Sequence, residues 1–250
     1  MSYLRIRKEL LALADNEQAA ILSRFFKTGP GQYGAGDKFL GIKVPRQREI
    51  VKRYLKTSLI DIQKLLNSPI HEFRLVGILI LVKQYENSID KKEQVKLVNF
   101  YLNNLSAVNN WDLVDLSAPN ILGNYLFNHY YLKDKKIKVF SILKKMADSK
   151  YLWSRRAAVV STFYFIKSGR YQEIFLLTDQ LKNDEHDLMH KALGWMLREV
   201  GKRIGKDKLV DYLKKNAHNL PRTTLRYAIE HFPKKERLYY LNQKKNQAAP

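Results

Sequence analysis

HEFRLVGILIL (71–81), SRRAAVVSTFY (154–164), MHKALGWMLRE (189–199) and TLRYAIEHF (224–232) superpose on one basic residue apiece. That shared position is Arg74, Arg156, Lys191 and Arg226. Small or aliphatic residues follow each one, as close helix-on-helix stacking requires. The spacings between the four are 82, 35 and 35, and the first gap is twice 41. A fifth copy is therefore expected around residue 115. NNWDLVDLSAP (109–119) supplies it, with Asp115 in the slot the others give to a cation.

A period of 35–41 residues is that of stacked two-helix repeats of the HEAT kind. The rest of the chain fits. Residues 4–13 and 17–27 carry apolar positions at helical spacing. A loop, Thr28–Lys43, follows, with glycines at 29, 31, 34, 36 and 41, and Pro45 marks the first turn of a third helix. From Leu59 onward, helices alternate with short turns such as Asn67-Ser68-Pro69, Asn109-Asn110, Asp148-Ser149 and Asn183-Asp184. No alternating run of β-branched residues is long enough for a sheet. The expected architecture is all-α: a HEAT-like helical-repeat solenoid with a basic concave groove, built as one domain over residues 1–241. Residues 242–250 read as a loose tail.

Composition narrows the partners. The 250 residues include 45 Lys+Arg against 24 Asp+Glu, a formal net charge of +21. With 45% hydrophobic residues the chain folds rather than forming a basic tail, so its excess charge calls for a polyanionic partner. There is no cysteine, which removes disulfide frameworks, thiol catalysis and Cys-ligated zinc. Neither a signal peptide nor a membrane span is legible, and a cytoplasmic monomer is expected, nucleoid-associated when bound to DNA. The row Arg74, Arg156, Lys191 and Arg226 would track a phosphate backbone, with Asp115 interrupting it. The competing reading is that basic residues near helix starts are merely solvated, or pair with local acids.

Trp111 and Asp115 are four residues apart and share a helix face. Asn110 is a candidate N-cap, and Asp112 is then accounted for as a first-turn acid. Asp115 lies deeper and has no such structural duty. Trp195 stands four residues after Lys191, with Arg198 one turn further on. Both Trp are candidate contact residues, though packing is the commonest role of a helical Trp. Trp153, outside this register, reads as core.

NNWDLVDLSAPNILGNYL (109–126), WSRRAAVVSTFYFIKSG (153–169) and HKALGWMLREVGK (190–202) resemble the DNA alkylation repair enzyme family, the AlkD-type DNA glycosylases. YGAGDKFLGIKVPRQREI (33–50) and SPIHEFR (68–74) fit the same pattern. The resemblance covers roughly residues 20–235, and its motifs are specific together and weak singly. It implies a helical-repeat fold around duplex DNA and hydrolysis of the glycosidic bond of cationic N3- and N7-alkylated purines. It places the catalytic Asp at Asp115, the groove Trp at Trp111 and Trp195, and a groove Arg at Arg156. The Gly-rich loop before Phe39 departs from it in length.

The residues admit that chemistry. An alkylated purine is already cationic and leaves as a neutral base, so no acid need protonate it. Positive charge develops on the sugar, and one carboxylate can stabilise it and position a water. No cofactor or metal is required. GPGQYGAGDK (29–38) is not a P-loop, because Phe39 follows Lys38. His71-Glu72 does not begin a zincin motif, because Leu75 holds the second His position. His186 and His190 read as part of a surface turn rather than a metal site. The lysine runs 133–138 and 234–237 read as solvated faces. The alternatives are a non-catalytic HEAT-like module binding damaged or branched DNA, and an RNA-binding or protein-scaffold solenoid.

Overall fold

The computed structural model describes residues 2–243. It is all-helical, and no strand occurs among the described residues. The contacts fall into two compact units, one ending at Ile121 and the other starting at Leu122. No helix among the described residues is long and apolar enough to cross a membrane.

The N-terminal unit holds α1 (Ser2–Ala12), α2 (Asn16–Phe25), α3 (Val44–Arg53), α4 (Leu59–Leu66), α5 (His71–Asn87), α6 (Lys91–Asn103) and α7 (Trp111–Ser117). Their starts follow from side-chain caps. Asp15, Ser58 and Asp90 accept from backbone amides of α2, α4 and α6, and Pro45 occupies the first turn of α3. α5 is the hub. Phe73 and every residue from Leu75 to Val82 are buried, so the helix is apolar all round. It packs against α1, α3, α4, α6 and α7. Gly77 lets α4 approach, since a Cβ there would lie 3.2 Å from Leu65 Cβ.

The C-terminal unit holds α8 (Asn124–His129), α9 (Lys136–Ala147), α10 (Leu152–Lys167), α11 (Gln172–Leu181), α12 (Asp187–Arg203), α13 (Lys206–Asn216), α14 (Arg222–Ala228) and α15 (Lys234–Gln243). Here α12 is the hub, packed by α10, α11, α13 and α14. Gly194 lets α14 approach closely: a Cβ would stand 2.5 Å from both the Thr224 carbonyl oxygen and Tyr227 Cβ. Trp153 is buried in α10. α15 continues through Gln243, so Asn242 and Gln243, expected in the tail, are helical. Residues 244–250 lie outside the described residues.

The repeat register is visible in the helices. Asp115, Arg156, Lys191 and Arg226 are each the fifth residue of α7, α10, α12 and α14, and Arg74 is the fourth of α5.

Candidate functional site

Asp115 and Trp111 sit one turn apart on α7, and both are half-buried. The helix starts where the Asn110 side chain accepts from the Trp111 amide at 2.8 Å. Trp111 is set by aromatics. Its ring stacks on Phe26 at 5.2 Å and 18°, and Phe25, itself exposed, meets it edge-on at 5.9 Å. Below Asp115, the Tyr101 hydroxyl lies 3.0 Å from Ser117 Oγ, which is 2.6 Å from the Leu113 carbonyl. Burial pushes the Tyr101 phenol well up, and the charge of nearby Asp115 adds to it. The phenol is therefore a neutral hydrogen-bonding group.

Behind Trp111 lies a buried charged cluster. His71, 2% exposed, opens α5 with Nε2 2.8 Å from Asp112 Oδ2 and Nδ1 3.2 Å from Asp37 Oδ2. Asp37 also receives Arg74 at 2.7 Å and Asn110 Nδ2 at 3.3 Å. Burial disfavours the imidazolium, but the hydrogen bonds of Asp112 and Asp37 outweigh it and lift His71 to about 9. Burial likewise works against the Asp37 carboxylate, yet His71 and Arg74 hold it below the usual carboxylate range. The His71 ring also stacks on Phe39 at 4.7 Å, Phe39 on Phe26, and Phe26 on Trp111. One continuous aromatic path thus joins the cluster to the surface Trp.

The Gly-rich loop is the outer wall of this cluster. Lys38 donates its amide to the Pro69 carbonyl, and the His71 amide donates to the Lys38 carbonyl. The next residue, Glu72, is fully buried, and its carboxylate accepts from the amides of Leu40, Gly41 and Ile42 at 2.9–3.2 Å. Gly41 takes φ +86° with its Cα turned against α2, where a Cβ would lie 2.1 Å from the Asp15 carbonyl oxygen, so no other residue fits. The His71-Glu72 pair, which holds no metal motif, thus clamps the loop with two acceptor–donor sets.

The expected basic row separates by burial. Arg74 is 4% exposed and turned inward, bonded to Asp37 and to the Ser68 carbonyl at 3.0 Å. This corrects its reading as a surface contact: Asp37, supplied by the loop, claims the guanidinium. Arg156 is also buried, at 5% exposure, and donates to the Leu188 carbonyl at 2.7 Å, tying α10 to the first turn of α12. Asp112 is likewise more than a first-turn acid, because His71 bonds it.

Lys191, Arg198 and Arg226 do come together. With Arg237, Tyr227 and Thr223 they line a cleft of about 560 Å³ on α12, α14 and α15. Acids temper it: Asp187 pairs with Lys191 at 2.7 Å, and Glu230 pairs with Arg198. Trp195 lies between Lys191 and Arg198 along α12, half-buried, its ring 5.9 Å from Phe163. His186 Nδ1 accepts from the Leu188 amide as the N-cap of α12, and His190 Nε2 faces the Asp184 carbonyl. Both imidazoles thus serve the turn. Among the described residues no group of three or more His, Cys, Asp or Glu is placed to hold a metal ion.

Phe25, Phe26, Phe39, Asp37 and His71 were not singled out from sequence as site residues. Asp37 and His71 stand 34 positions apart, and nothing local marks them as partners. The double Phe before a glycine-rich loop was the available signal.

The fold and site define an all-α helical-repeat protein with a surface carboxylate beside an aromatic cluster in one unit and a basic cleft in the other. The sequence model of the family described as "DNA alkylation repair enzyme" matches residues 6–232, and the chain belongs to that family. Its place is therefore in DNA alkylation repair, with DNA as the partner the family implies. Among solved structures, a "Predicted DNA alkylation repair enzyme from Enterococcus faecalis" is similar at 19% identity, with a TM-score of 0.68. The match covers 88% of this chain and 97% of that one, and at this identity it is a likeness of fold. No curated protein matches the sequence significantly.

Proposed function

We propose that this protein is a monofunctional DNA glycosylase that releases cationic N3- and N7-alkylated purines from duplex DNA. The observation that carries the reading is Asp115, a part-exposed carboxylate one turn from Trp111 in a family of alkylation repair enzymes. As the C1′–N bond lengthens, the bonding electrons go to the purine, which departs neutral. The sugar becomes an oxocarbenium-like cation, and Asp115 stabilises it electrostatically. A water held by the same carboxylate attacks C1′, its oxygen stays on the sugar and its proton is released. The products are an abasic site and the free alkylated base. The reaction needs neither a lysine nucleophile nor an acid on the leaving group.

Trp111, extended by exposed Phe25, offers a π face to the cationic base or the adjacent sugar. Trp195 takes a similar role on α12, while Lys191, Arg198 and Arg226 contact phosphates. Arg74 and Arg156 act from inside, as supports of the helices that carry these groups.

The test is release of 7-methylguanine or 3-methyladenine from methylated duplex DNA. The wild type releases base, and Asp115→Asn loses at least about 100-fold in rate while binding DNA normally. Absence of release by the wild type overturns the enzymatic reading and leaves a DNA-binding member of the family.

A further inference from the structure

His71 answers to no step of the proposed chemistry, yet it is held on both ring nitrogens and on its ring face. Both its ring nitrogens face carboxylate oxygens, Asp112 on one side and Asp37 on the other. A carboxylate only accepts, so each nitrogen must carry a hydrogen for both bonds to exist. The groups facing the ring are Asp37 from the loop, Asp112 from α7 and Arg74 from its own helix, while neighbouring Glu72 is turned to the Leu40–Ile42 amides. The ring plane is fixed independently by Phe39 and Phe26. The two carboxylates it bridges belong to separate segments, the Gly-rich loop and the first turn of α7, which Asn110 Nδ2 also joins through Asp37 at 3.3 Å. That first turn also contains Trp111, and Asp115 follows one turn on.

We propose that His71 is the positioning residue of the site, bridging Asp37 and Asp112 so that the loop and the start of α7 hold Trp111 and Asp115 in one fixed setting. This rests on the reading of Asp115 and Trp111 as the working pair. With the His71 proton lost, one ring nitrogen becomes an acceptor facing a carboxylate. That contact turns repulsive and the α7 start is held less tightly, by the Asn110–Asp37 bond and the Phe26–Trp111 stack. The proton therefore links the setting of Trp111 to pH, and the link is broken on the alkaline side, near pH 9, where His71 gives up its proton. Asp37→Asn removes one of the two charges that hold the proton and moves the break to lower pH.

The test has two arms. In the first, nitrogen-15 NMR follows the His71 ring and the Trp111 indole N–H of the wild type between pH 6 and 10, the indole signal being assigned with Trp111→Phe. The expected result is a doubly protonated ring at pH 7.5 and a Trp111 signal that shifts with the same midpoint as His71. A neutral His71 at pH 7.5, or a Trp111 signal indifferent to its titration, overturns the proposal. This arm needs no activity, so it stands if the wild type releases no base, a result that would sink only the glycosylase reading. In the second, base release is followed against pH. The wild type loses kcat through pH 9, His71→Gln lowers kcat at pH 7.5 roughly 10-fold with the affinity for DNA unchanged, and Asp37→Asn shifts the alkaline limb downward. A His71→Gln protein with the wild-type kcat and alkaline limb, or an Asp37→Asn limb that does not move, overturns the positioning role.

Discussion

Arg74 and Arg226 come from corresponding places in the same sequence repeat, and the two units use them in opposite ways. In the N-terminal unit Arg74 is folded inward onto Asp37, beside His71 and under the Gly-rich loop. In the C-terminal unit Arg226 is exposed and shares an open cleft with Lys191, Arg198 and Arg237. The register is common, and so is the long cationic side chain. What differs is the cover. The loop lays a carboxylate over α5, whereas Arg226 on α14 stands exposed in the cleft. A buried cation requires a paired anion, and the loop supplies one. Arg74 has thus become internal architecture, as Arg156 has on α10, while Arg226 faces the cleft.

That contrast makes the largest predicted effect a stability effect. Arg74→Ala leaves the buried cluster of His71, Asp37 and Asp112 with one carboxylate in excess and should cost about 3–5 kcal/mol, read as a lowered urea midpoint. Its DNA-binding salt slope, for whatever protein remains folded, should equal that of the wild type. A slope reduced by one ion with unchanged stability would erase the distinction between the units.

Next in size is the proton on His71. Its folded pKa is raised from 6.5 to about 9. Its contribution is therefore complete below pH 6.5, declines as pH rises and is gone above about 9, a span of roughly 3 kcal/mol by linkage. Asp37 works in the opposite sense: its folded pKa is depressed, so its stabilisation is present above the ordinary carboxylate range and lost on acidification. Stability measured against pH should fall on both sides of neutrality, and Arg226→Ala should leave that profile unchanged. A wild-type profile flat from pH 6.5 to 9.5 would remove the charged His71 from the account.

The C-terminal unit has its own packing limit. Gly194→Ala forces a methyl against the Thr224 carbonyl and Tyr227. The expected loss is about 1–3 kcal/mol, with the α12–α14 cleft disturbed and DNA affinity reduced alongside. Differential scanning calorimetry checks the first part and a binding isotherm the second.

The smallest stability change belongs to Arg226→Ala, within about 0.5 kcal/mol. Its signature lies elsewhere: the salt dependence of DNA binding should fall by about one ion. Lys191→Ala should behave similarly, softened because Asp187 already competes for the ammonium.

The sequence by itself determined a great deal. Apolar spacing of the helical period, with capping residues at the turns, is local information, and it specified the all-α architecture and the first helices to within about two residues. The repeat register is also local, and it placed Asp115, Arg156, Lys191 and Arg226 at one helical position. The i, i+4 relation of Trp111 and Asp115 needed nothing more than the pitch of a helix. What the sequence did not carry was the fate of those positions. Whether a cation at that slot faces water or an acid depends on which distant segment covers it, and Asp37 reaches Arg74 across 37 residues. The same holds for His71, whose two carboxylate partners lie 34 and 41 residues away on either side. Burial and pairing are properties of the assembled neighbourhood. Here a glycine-rich loop is folded back by Glu72 and His71, and its Asp37 makes Arg74 a structural charge.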